Sequence, residues 1–182
     1  LNKFIITVIG ADRPGIIAAV SDQLFISGCN IKDISQTILQ SVFGALFIVT
    51  APAGLEAGKL QTTLTENLSS LGLEVFVRRQ ATAAPATIAS QPFIITTFGP
   101  DRPGLVRAIT RVLARHAVNV SNLKAVFKGG AQPGDNVMIF EVDVPAAVDL
   151  PVMRRELEQA ARDTNLEINI QHRRIFESMN RI

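Results

Sequence analysis

Gly10-Ala11-Asp12-Arg13-Pro14-Gly15 and Gly99-Pro100-Asp101-Arg102-Pro103-Gly104 are one turn written twice, 89 residues apart. The repeat extends outward from that turn. Upstream, Phe4-Ile5-Ile6-Thr7 returns as Phe93-Ile94-Ile95-Thr96; downstream, Leu24 and Asn30 return as Leu113 and Asn119. Residues 4–36 share twelve identities with their counterparts, where ordinary residue usage gives about two by chance. The match resumes later at an offset of 93, as in Pro52/Pro145, Leu64/Leu157 and Glu74/Glu167. Four extra residues therefore lie in the second copy, and the Gly/Pro-rich stretch 128–135 (KGGAQPGD) is read as the loop that holds them.

Each copy predicts strand, helix, strand, strand, helix, strand. Residues 3–9 are β-branched and apolar, a buried strand. Pro14-Gly15 breaks it, and a helix is predicted over 16–27, with Ile17, Val20 and Leu24 on its inner face and Gly28 as its stop. The twin helix places Val106, Ile109 and Leu113 inward. Strands follow at 30–39 and 43–50, joined by a hairpin near Ser41-Val42-Phe43-Gly44. A second helix carries Leu60, Leu64, Leu68 and Leu71, matched by Met153, Leu157, Ala161 and Thr164. The last strand alternates Leu73, Val75 and Val77, matched by Leu166, Ile168 and Ile170. The order βαββαβ, twice, predicts an α+β protein of two ferredoxin-like domains. Each is an antiparallel four-stranded sheet with strands 1 and 3 central and both helices on one face. The open face and the edge strands then need covering, by side-by-side or face-to-face pairing. The boundaries read as 1–80 for the first domain, 81–92 for an uncharged Pro-punctuated linker (ATAAPATIASQP), 93–174 for the second and 175–182 for a tail.

Composition narrows the function. The chain has 182 residues, one Cys, two His and no Trp or Tyr. One cysteine excludes a disulfide scaffold and a cysteine-based zinc site. His116 and His172 lie far apart with no ligand spacing around them, so no metal and no cofactor is expected. Net charge is +2, split as zero over 1–80 and +2 over 93–182, which is no electrostatic footprint for nucleic acid. The pI of 9.0 is high only because almost nothing titrates between neutrality and the lysines. Phe47 and Phe140 follow core alternation rather than the exposed pattern of a base-stacking sheet. No apolar run spans a bilayer and no signal peptide opens the chain, so a cytoplasmic protein is expected. Mean hydropathy is +0.27, and the excess apolar surface is expected to lie between domains or subunits.

The repeated turn is the chemical feature. Asp12 is placed to cap the following helix, Pro14 has no N–H to satisfy, and the free amides of a helix start favour an anion. Gly15, lacking Cβ, admits close approach of a ligand or backbone. Amides with one acidic side chain suit a zwitterion, and Asn30, which donates and accepts, fits the same ligand. Against this stands plain structural punctuation: a β–α turn with Pro and Gly is common, and an Asn at a strand start often serves only the turn. Duplication of the whole set shifts the balance towards a ligand. Arg107, Arg111 and Arg115 form a helical stripe found only in the second copy, read as a solvated face or as a contact for an acidic partner. Arg154, Glu158 and Arg162 read as surface ion pairs, and Cys29 as a small core residue. No acid–base pair, nucleophile constellation or phosphate loop is present in the sequence, so no enzyme is expected.

With the DRPG turn, the helix and the Asn-Ile/Asn-Val strand start in hand, the chain resembles tandem ACT-domain proteins of the glycine cleavage system transcriptional repressor family. The resemblance covers residues 3 to about 174. It implies a ferredoxin-like fold and a non-enzymatic regulator that binds an amino acid between paired domains. Its ligand-facing residues would be Asp12, Arg13, Pro14, Gly15, Ile16, Asn30 and Ile31, with Asp101, Arg102, Pro103, Gly104, Leu105, Asn119 and Val120 as their matches. A homodimer and a regulatory protein partner are expected, and the charge and apolar pattern lead to neither direct nucleic-acid binding nor membrane contact. A ligand-free interaction module on the same fold is the alternative. The replacement of Gly28-Cys29 by Ala117-Val118 suggests that the two sites differ.

Overall fold

Strand and helix alternate as the repeat demands, and a computed structural model describes residues 2–81, 89–128 and 136–175. The first half contains β1 (Asn2–Ala11), α1 (Ile16–Ile26), β2 (Asn30–Leu39), β3 (Val42–Ala51), α2 (Ala57–Leu68) and β4 (Glu74–Arg79). The second contains β5 (Ser90–Gly99), α3 (Leu105–Arg115), β6 (Asn119–Phe127), β7 (Asn136–Pro145), α4 (Leu150–Asp163) and β8 (Glu167–His172). Two sheets form, ordered β2-β3-β1-β4 and β6-β7-β5-β8, antiparallel at every pairing. The first and third strands of each copy are central, as predicted. The chain divides into two compact units, 1–84 and 85–182.

Each unit has its own core, built from alternate strand residues and one stripe of each helix. Phe4, Ile6, Val8, Phe47 and Val49 meet Leu60, Leu64 and Leu68 in unit 1. Ile95, Phe140 and Val142 meet Met153, Leu157 and Ala161 in unit 2. Each fully buried Leu or Ile of this kind contributes about 1.5–3 kcal/mol. Phe47 and Phe140 are fully buried, as their alternation required. Cys29 lies in the unit 1 core, where burial pushes its thiol up from the ordinary range.

Several local expectations shift. The inward residue of the first helix is Ile16, with Ile17 only half-buried; the twin has Leu105 inward and Val106 half-buried. One turn of 3-10 helix at Ser69–Leu71 takes Leu71 out of α2. The β2–β3 hairpin closes on Gln40 and Ser41, since Leu39 already pairs with Val42; Gln40 takes φ 57, the left-handed region that a two-residue hairpin requires. Strand β5 begins at Ser90, three residues inside the stretch read as linker, because Ser90, Gln91 and Pro92 pair with Pro145, Val144 and Asp143. Pro92 is tolerated because β8 pairing starts only at Phe93, leaving one side of Pro92 without a strand. Arg154 and Arg162 form no ion pair with Glu158. Arg154 donates to the Ile170 carbonyl of edge strand β8 at 3.1 Å, and Arg162 to the Gln159 side-chain oxygen Oε1 at 2.8 Å. The insertion loop and the tail fall mostly outside the described residues, but register locates the insertion. Ile38 pairs with Phe43 and its twin Phe127 with Asn136, so four intervening residues become eight.

Candidate functional site

The DRPG turn joins the end of β1 to α1. Asp12 is fixed through its backbone, its N–H donating to the Ser41 carbonyl at 2.9 Å. Its side chain does not cap the helix, contrary to the sequence reading. The N-cap is Gly15 at φ 93, and Gly104 is its twin at φ 91, with no side-chain cap at either. An Asp cap exists elsewhere, at Asp149, whose carboxylate accepts from the Val152 N–H at 3.0 Å. Gly15 and Gly104 are therefore required by their φ. No protein atom lies within 4 Å of where either Cβ would stand, so the space beside them is open.

The other glycine of the repeat has a different cause. A Cβ on Gly10 would stand 2.7 Å from Leu73 Cδ2, and one on Gly99 would stand 2.8 Å from the Asn165 carbonyl oxygen. Close approach thus explains Gly10 and Gly99, a reason the sequence reading had attached to Gly15.

A groove of about 440 Å³ opens at the first turn. The turn residues Asp12 to Gly15 and the first residues of α1 form one wall; Gln36 and Ile38 of β2 with Phe43 of β3 form the other. The opening N–H groups of α1 have no intrahelical acceptor there. A second groove of about 510 Å³ lies at the twin turn, between Arg102, Gly104 and Arg107 on one side and Phe127 on the other. Arg107 stands where the first groove has Ala18. The sequence reading missed Gln36, Ile38, Phe43 and Phe127; their signal was the alternation of the second strand of each unit and, for Phe43, of the third, which puts them on the helix-bearing side. Ile16 and Leu105 are 2% exposed, so only their backbone is open to a ligand. Arg13 reaches back, its guanidinium 3.4 Å from the Ser70 carbonyl.

Asn30 and Asn119 are not at these grooves. Asn30 pairs with Thr50, whereas the DRPG end of the sheet is marked by the Ala11–Val42 and Leu39–Val42 pairs. Eight residues of β3 separate Thr50 from Val42, about 26 Å at the rise of a strand. Within one unit the two halves of the repeated set stand at opposite ends of edge strand β2. The twin set does the same along β6. Ile31 and Val120 pack against the cores beside these asparagines. Both strands bulge at the next residue, between Ile31 and Asp33 and between Val120 and Asn122. A bulge turns the strand locally and leaves one residue unpaired.

Among the other singled-out residues, Arg115 forms an ion pair with Glu156 at 2.7 Å, and His116 Nε2 lies 3.3 Å from the same carboxylate. The Arg115 guanidinium holds the Glu156 carboxyl below its ordinary range. His172 packs edge-on against Phe93, centroids 5.3 Å apart. Among the described residues no group of three His, Cys, Asp or Glu is placed to hold a metal, and no helix is long and apolar enough to cross a membrane.

Two ferredoxin-like units, each with a groove beside a left-handed glycine after its first strand, define a duplicated α+β module. The chain belongs to the ACT domain family, whose model matches residues 2–78 and again 91–171. It is 26% identical over 173 residues to the glycine cleavage system transcriptional repressor of Escherichia coli, covering 93% of this chain and 87% of that one. It is 40% identical over 81 residues to a UPF0237 protein of Methanopyrus kandleri, covering 44% of this chain and 90% of that shorter protein. Among solved structures it is similar in fold to a protein of Galdieria sulphuraria, at TM-score 0.75 and 21% identity, covering 94% and 98% of the two chains.

Proposed function

We propose that this chain is a non-enzymatic regulatory protein of two ligand-binding domains, 1–80 and 93–174, that takes up a free amino acid and signals through its oligomeric state or a regulatory protein partner. One observation carries the reading. The repeated acidic turn and the repeated asparagine stand at opposite ends of an edge strand in both units. An edge strand offers unpaired backbone to a neighbour. Antiparallel pairing with the β2 edge of a second copy lays the Asn30 end of one chain against the Asp12 end of the other. The helix-start amides then meet the ligand carboxylate, Asp12 meets its ammonium, and Asn30 of the partner subunit completes the site. Ligand and dimer stabilise each other, which is the differential affinity a switch requires. The name of the Escherichia coli relative supports a transcriptional output, and the setting proposed is cytoplasmic.

A thermal-shift panel of the common amino acids at millimolar concentration is the test. At least one should raise the melting temperature in a concentration-dependent way. Asp12→Ala with Asp101→Ala, and Asn30→Ala with Asn119→Ala, should each remove that response. A panel with no response overturns the reading. A ligand-free interaction module is the second reading, favoured by Arg107 and Arg111, which are exposed and have no ion-pair partner among the described residues. Charge reversal at Arg111, which lines neither groove, should then abolish partner capture without altering any amino-acid response.

A further inference from the structure

Two positions of the unit 2 core carry polar side chains where unit 1 has hydrocarbon. Thr97 stands at the position of Val8, and Asn136 at the position of Phe43. Both are 0% exposed. The Thr97 hydroxyl and both polar atoms of the Asn136 carboxamide have no hydrogen-bond partner. Buried polar atoms are nearly always satisfied, and leaving one without a partner costs stability. Three such atoms lie at two neighbouring positions on one face of the unit 2 sheet.

Register places the pair beside the second DRPG turn. Asn136 pairs with Gly99, which opens that turn, and Thr97 pairs with Met138, two residues along the same face. The unit 1 twin of Asn136, Phe43, lines the first groove directly. Asn136 also pairs across to Phe127, which lines the second groove. Asn136 is covered, so contact with a ligand requires the groove wall to shift; Phe127, 48% exposed, is the outer part of that wall.

The geometry points to Thr97 and Asn136 as the specificity-determining pair of the unit 2 groove, selecting an amino acid whose side chain is a neutral hydroxyl or carboxamide. The inference rests on the amino-acid reading above and deepens it. The carboxamide presents an unpaired oxygen as well as an unpaired NH2, so the ligand must both donate and accept. A carboxylate cannot donate to that oxygen, and an aliphatic side chain leaves all three atoms bare. Unit 1, with Val8 and Phe43 at these positions, offers no such partner and selects apolar side chains.

The test is calorimetric titration of the full chain with three near-isosteric pairs: serine against alanine, threonine against valine, asparagine against leucine. Aspartate serves as the charged control. The unit 2 site is identified as the one lost in Asp101→Ala. There, the polar member of at least one pair should bind about 10- to 100-fold more tightly than its aliphatic mate, and than aspartate. Thr97→Val and Asn136→Leu should each cut that preference to less than about threefold while raising the melting temperature of the free chain. That opposite movement of binding and stability is one a purely structural role would not produce. An Asp101-dependent site whose preference survives both substitutions overturns this inference and leaves the amino-acid reading intact. So do variants that lose stability and keep discrimination, which would mark the pair as a hydrated structural site. No saturable binding of any probe overturns both.

Discussion

Val8 and Phe43 in unit 1 correspond in the repeat to Thr97 and Asn136 in unit 2, Ala18 to Arg107, and Ile48 to Glu141. The backbone around these substitutions barely changes. Both units keep the strand order, the left-handed glycine N-cap and the bulge after the second residue of the edge strand. The comparison separates two kinds of constraint. The glycines of the repeated turn stayed alike, because a left-handed N-cap and a close backbone approach allow few other residues there. Positions that face the groove or the open side of the sheet diverged. On that open side unit 1 presents Ile48, Leu46 and Phe76, the last two 52% and 55% exposed, whereas unit 2 ties Glu141 to Arg173 at 2.6 Å and to Asn122 at 2.9 Å.

The close-approach glycines give the strongest way to break the comparison. A Cβ at either position meets a leucine methyl at 2.7 Å, but in Gly99→Ala it also stands 2.8 Å from backbone, the Asn165 carbonyl, whereas in Gly10→Ala the nearest backbone atom lies at 3.1 Å. Urea unfolding should show Gly99→Ala destabilised by about 1–3 kcal/mol and Gly10→Ala by less. The reverse order would mean that the two turns are not packed alike.

A smaller effect is expected at the end of the first helix of each unit. Gly28 takes φ 70 and its twin Ala117 takes φ 53, so unit 2 holds an alanine in the left-handed region. Ala117→Gly should stabilise the chain by roughly 0.5–1 kcal/mol, the relief of left-handed strain less the entropy that glycine adds. Chemical denaturation checks it, and a loss of stability would show that Ala117 makes packing contacts worth more than its strain.

The smallest effect sharpens the contrast through pH. Glu156 is held below its ordinary pKa by Arg115, and the unit 1 counterparts, Thr63 and Ile26, form no such pair. A carboxyl with a depressed folded-state pKa stabilises the fold above its unfolded value and loses that contribution as pH falls through the folded one. The pair is exposed, so solvent and salt screen it. Arg115→Ala should raise the Glu156 pKa in an NMR titration and slightly flatten the acid-side loss of stability. An unmoved Glu156 titration would show that the pair does not persist in solution.

Much of this was legible in the residues. The offset of 89 and then 93 located the insertion, and apolar alternation with leucines four apart predicted every strand and helix, because those patterns express local geometry. The helix face was misjudged by one residue, Ile17 for Ile16, since two adjacent isoleucines satisfy the same period. Gly15 was read as a close-approach position, but its φ demands the glycine, and close approach is the reason for Gly10 and Gly99. A sequence shows that a glycine is present, but whether φ or a neighbour demands it depends on Leu73 and Asn165, more than sixty residues away.

The sequence by itself determined the duplication, the topology and the residue types of the site, because short-range propensity and burial periodicity are written in consecutive residues. Only the tertiary structure decided that Asp12 and Asn30 stand at opposite ends of one edge strand, and that Thr97 and Asn136 share a buried corner beside the second turn. The physical reason is that strand register is a long-range property. It is fixed by packing one face of the sheet against two helices, and it alone decides which distant side chains meet.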